Sequence, residues 1–126
     1  MIMESAKLLF FNGREGALPL YGAFRARLFA LVPDVEIKVR KTQISYYRRH
    51  MFACVSFLPA RNKPARPQDY ITVTFGLPTR VDSSRIDIAC QPQPNRWTHH
   101  VLIGSIQEID DEMMRWIQQA AAFAAR

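Results

Sequence analysis

Two stretches of this chain hold side chains able to do chemistry. Trp97-Thr98-His99-His100 carries two of the three histidines and one of the two tryptophans. Paired imidazoles could ligate a metal, but neighbouring residues in a strand point to opposite faces, so His99 and His100 cannot hold one ion from a regular strand. No histidine pair one helical turn apart and no paired cysteine motif supplies further ligands. The expectation is a split pair, one ring turned to the core or a cleft and the other to solvent, with no metal. In the second stretch, Lys38, Arg40, Lys41, Arg48, Arg49 and His50 interleave with Tyr46 and Tyr47. Cations that pair with phosphates beside rings that stack on bases are what single-stranded nucleic acid requires. A bland alternative stands beside it: edge strands carry Lys and Arg to block aggregation, and one of two adjacent tyrosines must face inward.

Other reactive patterns are missing. There is no Gly-x-Ser-x-Gly elbow, no phosphate loop and no Gly-x-Gly-x-x-Gly. Cys54 lies in an apolar run, which would raise its pKa and hide it, and Cys90 sits beside proline-rich sequence, so both read as free thiols. The acidic cluster Glu108, Asp110, Asp111 and Glu112 precedes a helical pattern and has a capping role without any catalytic one. An enzyme is not the favoured reading, and no cofactor is expected.

The elements that must position these residues follow from periodicity. Ala17–Leu31 spaces Leu20, Phe24, Leu28 and Leu31 as one helical stripe, with Pro19 tolerated in the first turn and Pro33 beyond the end. Ser5–Phe11 fits either a helical turn or an approach strand, closed by Asn12-Gly13. Val35, Ile37 and Val39 alternate with Glu36, Lys38 and Arg40, the pattern of a half-buried strand. Gln43–Tyr47 suits a second strand, and Met51–Leu58 is apolar on both parities, as in a central strand. Tyr70–Phe75 alternates again, Val81–Ile88 suits an edge strand, and His99–Ile103 suits the last one. Gln91-Pro92-Gln93-Pro94-Asn95 is expected to interrupt any ladder, because proline has no donor. Arg61–Pro67 is expected to be an exposed loop, longer than the usual two to five or so residues of a hairpin. A final helix capped by Asp110 would bury Met113, Ile117, Ala120, Ala121 and Ala124. The expected fold is α+β: one antiparallel sheet of about five strands, with an N-terminal and a C-terminal helix packed on one face.

Composition bounds the rest. The 126 residues are 48% hydrophobic and 22% charged with two cysteines, which suits a single domain over 1–126 that needs no staples. The net charge of +6 favours acidic partners. Eight cations and no acid lie between Ile37 and Gln68: Lys38, Arg40, Lys41, Arg48, Arg49, Arg61, Lys63 and Arg66. The longest apolar run, Met51–Ala60, is far short of the roughly 18 residues that span a bilayer, and the N-terminus lacks the pattern of a secretory signal. A cytoplasmic protein without membrane contact is expected.

The order of short motifs adds to this. Phe10-Phe11-x-Gly13, Leu18-Pro19-Leu20-Tyr21, Lys41-Thr42-Gln43-Ile44-Ser45-Tyr46, Met51-Phe52-Ala53, Trp97-Thr98-His99-His100 and Glu108-Ile109-Asp110-Asp111-Glu112 leading to Trp116-Ile117 and Ala120 together resemble the bacterial domain-of-unknown-function family 5655, from about Phe10 to Ala124. The resemblance implies a small α+β domain similar to the iron-chaperone-like YdhG proteins, with no established activity. Family members resemble stand-alone proteins or domains attached to larger ones, some of them nuclease-like, which implies an accessory binding role. It places Lys41, Tyr46, His99 and His100 in any groove the family has. The chain departs from the family where a tyrosine often follows the final-helix Ala120, for Ala121 stands there.

Together these readings favour a non-enzymatic binding or adaptor module for an acidic ligand or nucleic acid. Lys38, Arg40, Lys41, Arg48 and Arg49 would supply charge, Tyr46 or Tyr47 would stack, and His99 or His100 would add a polar contact. A protein–protein or homodimer module using an edge strand is the rival. A small-molecule or metal-ion carrier, by fold analogy alone, ranks lower.

Overall fold

The computed structural model describes residues 2–126, and side chains from Ser5 onward. Helix α1 spans Ile2–Phe10, so the Ser5–Phe11 segment is helical. Helix α2 spans Leu18–Leu31, with Pro19 in its first turn, where its missing N–H leaves no intrahelical bond unmade. Its buried stripe is Leu20, Tyr21, Phe24 and Leu28. Leu31, expected in that stripe, is exposed at the helix end.

Six strands follow: β1 (Glu36–Val39), β2 (Ile44–Tyr47), β3 (Met51–Ser56), β4 (Ile71–Leu77), β5 (Ile88–Gln93) and β6 (Arg96–Ile103). They form one sheet in the order β1-β2-β3-β4-β6-β5, every neighbouring pair antiparallel. The expected five strands are therefore six. The sixth arises where the prolines were expected to forbid a ladder. Residues of the Val81–Ile88 segment before Ile88 form turns and loop, and the edge strand is β5, which contains Pro92. Proline is tolerated there because an edge strand has one side with no ladder to feed, and the register slips between Cys90 and Gln93 around it. Pro94 and Asn95 make the turn into β6, with Asn95 at φ 59°, a left-handed conformation that asparagine accepts more readily than most residues.

Helix α3 (Asp111–Ala124) closes the chain. Asp110 caps it by accepting from the Met113 amide at 3.0 Å. Burial pushes the Asp110 carboxyl up, but the Met113 amide and the Arg85 guanidinium, at 2.6 Å, outweigh it and hold the acid below its ordinary value. Arg85 also donates to the Glu108 carbonyl, and Arg27 to Asp111 and the Ile109 carbonyl, so the acidic cluster is consumed in tying α3 to α2 and to the loop before β5. The expected face of α3 is buried, together with Met114 and Trp116.

Both α2 and α3 cover one face of the sheet. Trp116 stacks on Phe75 at 5.8 Å, and Phe24 meets Tyr46 edge-on at 5.9 Å. Strand alternation therefore puts Ile44, Tyr46, Ala53, Val55, Val73, Phe75, His99 and Val101 on the helix side. The remaining parity belongs to the face turned away from α2 and α3, where Phe10 at the end of α1 packs on Phe57. Among the described residues, no helix is long and apolar enough to cross a membrane.

Candidate functional site

The face turned away from α2 and α3 is built from rows that cross the sheet, with Phe10 of α1 in the lining of its groove. Antiparallel register aligns Lys38, Ser45, Cys54, Thr74, His100 and Ile88 from β1 through to β5. The middle of this row, Ser45, Cys54 and Thr74, consists of short side chains. Nothing bulky fills the centre, and a groove of 610 Å³ opens along Ser56, Cys54, Thr74 and His100, with Arg14, Lys41, Gln43, Phe57 and Leu58 at its rim. Among the described residues, no carboxylate lines it.

Each polar group in the row is held. Thr74 Oγ1 and His100 Nδ1 share a 2.7 Å hydrogen bond across β4 and β6. Gln43 Nε2 donates to Ser45 Oγ at 2.7 Å, which covers Ser45 and leaves it buried despite its outward parity. Burial pushes the Cys54 thiol up, and the Thr74 hydroxyl beside it offsets only part of that. A thiol so held is a poor nucleophile, because little thiolate forms near neutral pH. Burial alone holds His100 below the ordinary histidine value, so the ring is neutral near pH 7. The row offers donors and acceptors to a ligand and no activated attacking group.

The chain folds over one end of this face. Thr72 Oγ1 donates to the Leu58 carbonyl at 2.6 Å, and Tyr70 Oη to the Phe57 carbonyl at 3.0 Å. Arg61, expected in an exposed loop, is instead half-buried: its Nε donates to Asp87 Oδ1 at 2.6 Å and its guanidinium to the Leu102 carbonyl at 3.0 Å. Phe57 stacks on Phe10, and the Arg14 guanidinium lies 4.4 Å above the Phe57 ring. That contact fixes Arg14 at the rim of the groove.

The residues singled out in the sequence are divided by the fold. Lys41 and His100 meet in the groove. Lys38 and Tyr47 share the same face nearby, the Lys38 ammonium lying 4.7 Å from the Tyr47 ring, and Arg40 continues the outward parity of Lys38. Arg48 and Arg49 belong to the β2–β3 hairpin, at the other end of these strands, where Arg48 pairs with Asp34 at 3.1 Å. Tyr46 and His99 require correction. Tyr46 is fully buried on the helix side, so it offers no stacking surface. His99 is also fully buried, stacked on Phe75 at 4.9 Å. The structure therefore does not bring Lys41, Tyr46 and His99 to one pocket.

His99 has a structural task. Its Nε2 accepts from the Val81 amide at 2.9 Å, pinning the loop between β4 and β5. Burial holds it below the ordinary histidine value, the Phe75 carbonyl opposes that shift, and Arg80 and His100 reinforce it. With folded values of His99 and His100 both lowered, the unfolded chain binds protons first as pH falls. Their contribution to stability is complete above the ordinary histidine value and is lost as pH drops from there towards the folded values. The urea midpoint should fall between about pH 7.5 and about pH 5.5, and fall less in His99→Phe. An equal fall in that variant would remove His99 from the account.

With the face and its groove described, comparison with known proteins becomes informative. A family model described as "Domain of unknown function (DUF5655)" matches residues 9–124, nearly the whole chain. The chain belongs to the DUF5655 family. No curated protein and no solved structure matches it. The DUF5655 match covers every strand and both rim residues Arg14 and Lys41.

Sequence reasoning missed Arg14, Gln43, Ser56, Thr74 and Arg96 as contributors to this face. One signal was present: Thr72 and Thr74 alternate against Ile71, Val73 and Phe75, which assigns the threonines to the polar side. Nothing local links Thr74 to a histidine 26 residues away. Among the described residues, no group of three or more His, Cys, Asp or Glu is placed to hold a metal ion.

Proposed function

We propose that this DUF5655 domain is a non-enzymatic binding module that takes an acidic ligand on the face of its sheet turned away from α2 and α3. The observation that carries this reading is one groove with Arg14 and Lys41 at its rim, hydroxyl and imidazole groups along its floor, and, among the described residues, no carboxylate in its lining. Among the described residues no acid pairs with either cation, so their charge is available to a ligand. The polar floor supplies orientation, since hydroxyls and imidazole donate or accept as required.

Nucleic acid is retained as one form of acidic ligand, supported by Lys38 and Arg40 beside the groove. Its recognition would rest on phosphate contacts, because Tyr46 is in the core and Lys38 covers Tyr47. Edge-to-edge dimerisation has less support. The β1 edge carries Lys38 and Arg40, and the β5 edge carries Pro92 and a register break, all features that discourage a further strand. A cytoplasmic setting and a likeness to iron-chaperone-like proteins remain parts of the proposal that rest on sequence alone.

Amide chemical shifts during titration with inorganic pyrophosphate, and separately with a short single-stranded RNA, test the reading at about 50 and about 200 mM salt. Shifts should concentrate at residues 41–43 and 56–58, weaken at the higher salt, and vanish in Lys41→Glu. Arg49→Glu, at the far hairpin, should change little. Absence of shifts with both probes, or shifts centred elsewhere, would overturn the assignment.

A further inference from the structure

A second opening lies where the sheet splits. The β3–β4 ladder runs from Ser56↔Thr72 to Ala53↔Phe75 and stops there. Beyond it, β4 continues through Gly76 and Leu77 against β6, whereas Met51 leaves with β2, where the register slips by one residue at Tyr46/Tyr47. The bulge turns the start of β3 away from β4. A crevice of 330 Å³ results, roofed by the last turns of α3. The His50 amide donates to the Ala124 carbonyl at 3.2 Å, which fixes the hairpin to that helix and holds the crevice between them.

The lining has two characters. Phe52, Phe75, Ala120 and Phe123 make apolar walls, and the residue that leaves room is Gly76, where an added Cβ would meet only the Trp97 carbonyl at 3.8 Å. The charged lining is Arg96 and Arg126, with no carboxylate among the described residues. Arg96 is exposed at the start of β6, and among the described residues no acid pairs with it. Small-ligand sites have this form: a mostly apolar concavity with few polar groups to fix orientation.

We propose that this crevice binds a small amphipathic anion, its apolar body between Phe52, Phe75 and Phe123 and its carboxylate or phosphate on Arg96. The ligand class differs from that of the groove, which has a polar floor and its cations at Arg14 and Lys41. Two features require both halves of such a ligand. An uncharged apolar molecule would leave Arg96 unused, and a compact inorganic anion would leave the half-exposed Phe123 without an apolar partner. Guanidinium and carboxylate meet in a two-point fork, so the anionic end sets the orientation in which the body enters.

The proposal is tested by amide-shift titration of the full chain with decanoate and with decanol below their aggregation concentrations. Decanoate should saturate, shifting the amides of Phe52, Gly76 and Ala124, and decanol should bind at least about tenfold more weakly. Arg96→Glu, an exposed change that leaves the fold intact, should weaken decanoate by at least about tenfold. Gly76→Leu should abolish binding by filling the crevice, while Gly76→Ala, which fits the open space, should retain the fold and bind more weakly. Unchanged decanoate affinity in Arg96→Glu, equal affinity for decanol, or shifts that avoid the crevice would each overturn it. Lys41→Glu separates the two sites: it should leave decanoate binding as it was and remove the response to pyrophosphate. Loss of the pyrophosphate response alone therefore tests the groove and not the crevice.

Discussion

Trp116→Ala is expected to remove about 3–5 kcal/mol of folding stability, a large share of the roughly 5–15 kcal/mol that a domain of this kind has in total. The indole is only 8% exposed and forms one end of a three-ring stack. Trp116 lies 5.8 Å from Phe75 at an interplanar angle of 20°, and Phe75 lies 4.9 Å from His99 at 12°. The Arg85 guanidinium, 5.8 Å from the indole, ties the same point to the capping acids of α3. Truncation would therefore open a cavity between α3 and the neighbouring strands β4 and β6, and withdraw the support on which the His99–Val81 contact depends. Urea unfolding followed by circular dichroism measures the loss. Exposed Arg115 on the same helix serves as the control, where Arg115→Ala should stay within about 0.5 kcal/mol. A loss below about 1 kcal/mol for Trp116→Ala would mean that the helix does not depend on this stack.

Asp87→Ala should cost about 2–3 kcal/mol, through a carboxylate that serves two partners. Its Oδ1 accepts from Arg61 Nε at 2.6 Å and its Oδ2 from the Leu102 amide at 2.8 Å, while Arg61 donates onward to the Leu102 carbonyl. The pair thus completes the hydrogen bonding of β6 at a position just beyond the end of β5. Its side chains are 12% and 31% exposed for Asp87 and Arg61, so removing the acid leaves a cation and a backbone donor short of partners with only partial access to water. Asp87→Asn keeps an acceptor for the Leu102 amide and should lose about half as much. Hydrogen exchange at Leu102 reads the local effect directly. Protection unchanged in Asp87→Ala would show that this brace contributes nothing to the edge.

These two sites differ in how far they could be read in advance. Trp116 is absent from the face that the spacing predicts, yet it lies one turn from Met113 and Ala120 and so carries a local signal for the inward side of α3. Asp87 is invisible locally: it sits in a stretch expected to be strand, and its partner Arg61 stands in a loop expected to be exposed. An ion pair 26 residues apart has no periodic signature. The candidate site divides in the same way. Lys41 and His100 were legible because charge and imidazole stand out in any sequence, and Tyr46 was misplaced because two adjacent tyrosines carry no mark of which one faces the helices. The strand count was missed at β5 because proline's lack of a donor was weighed without knowing that the strand lies at an edge.

By itself the sequence determined helix α2, helix α3 with its Asp110 cap, the alternation of β1 and β4, the excess of cations over acids, and the family. All of these depend on spacing within one element, on composition, or on the order of motifs. Only the tertiary structure decided which parity of β3 faces the helices, that Cys54, Thr74 and His100 align in one row, and that β3 and β4 part to leave a crevice at Gly76. A strand that is apolar on both parities has no preferred side until neighbours pair with it. The register of those neighbours is set by contacts between residues distant in the chain, where local periodicity has no influence.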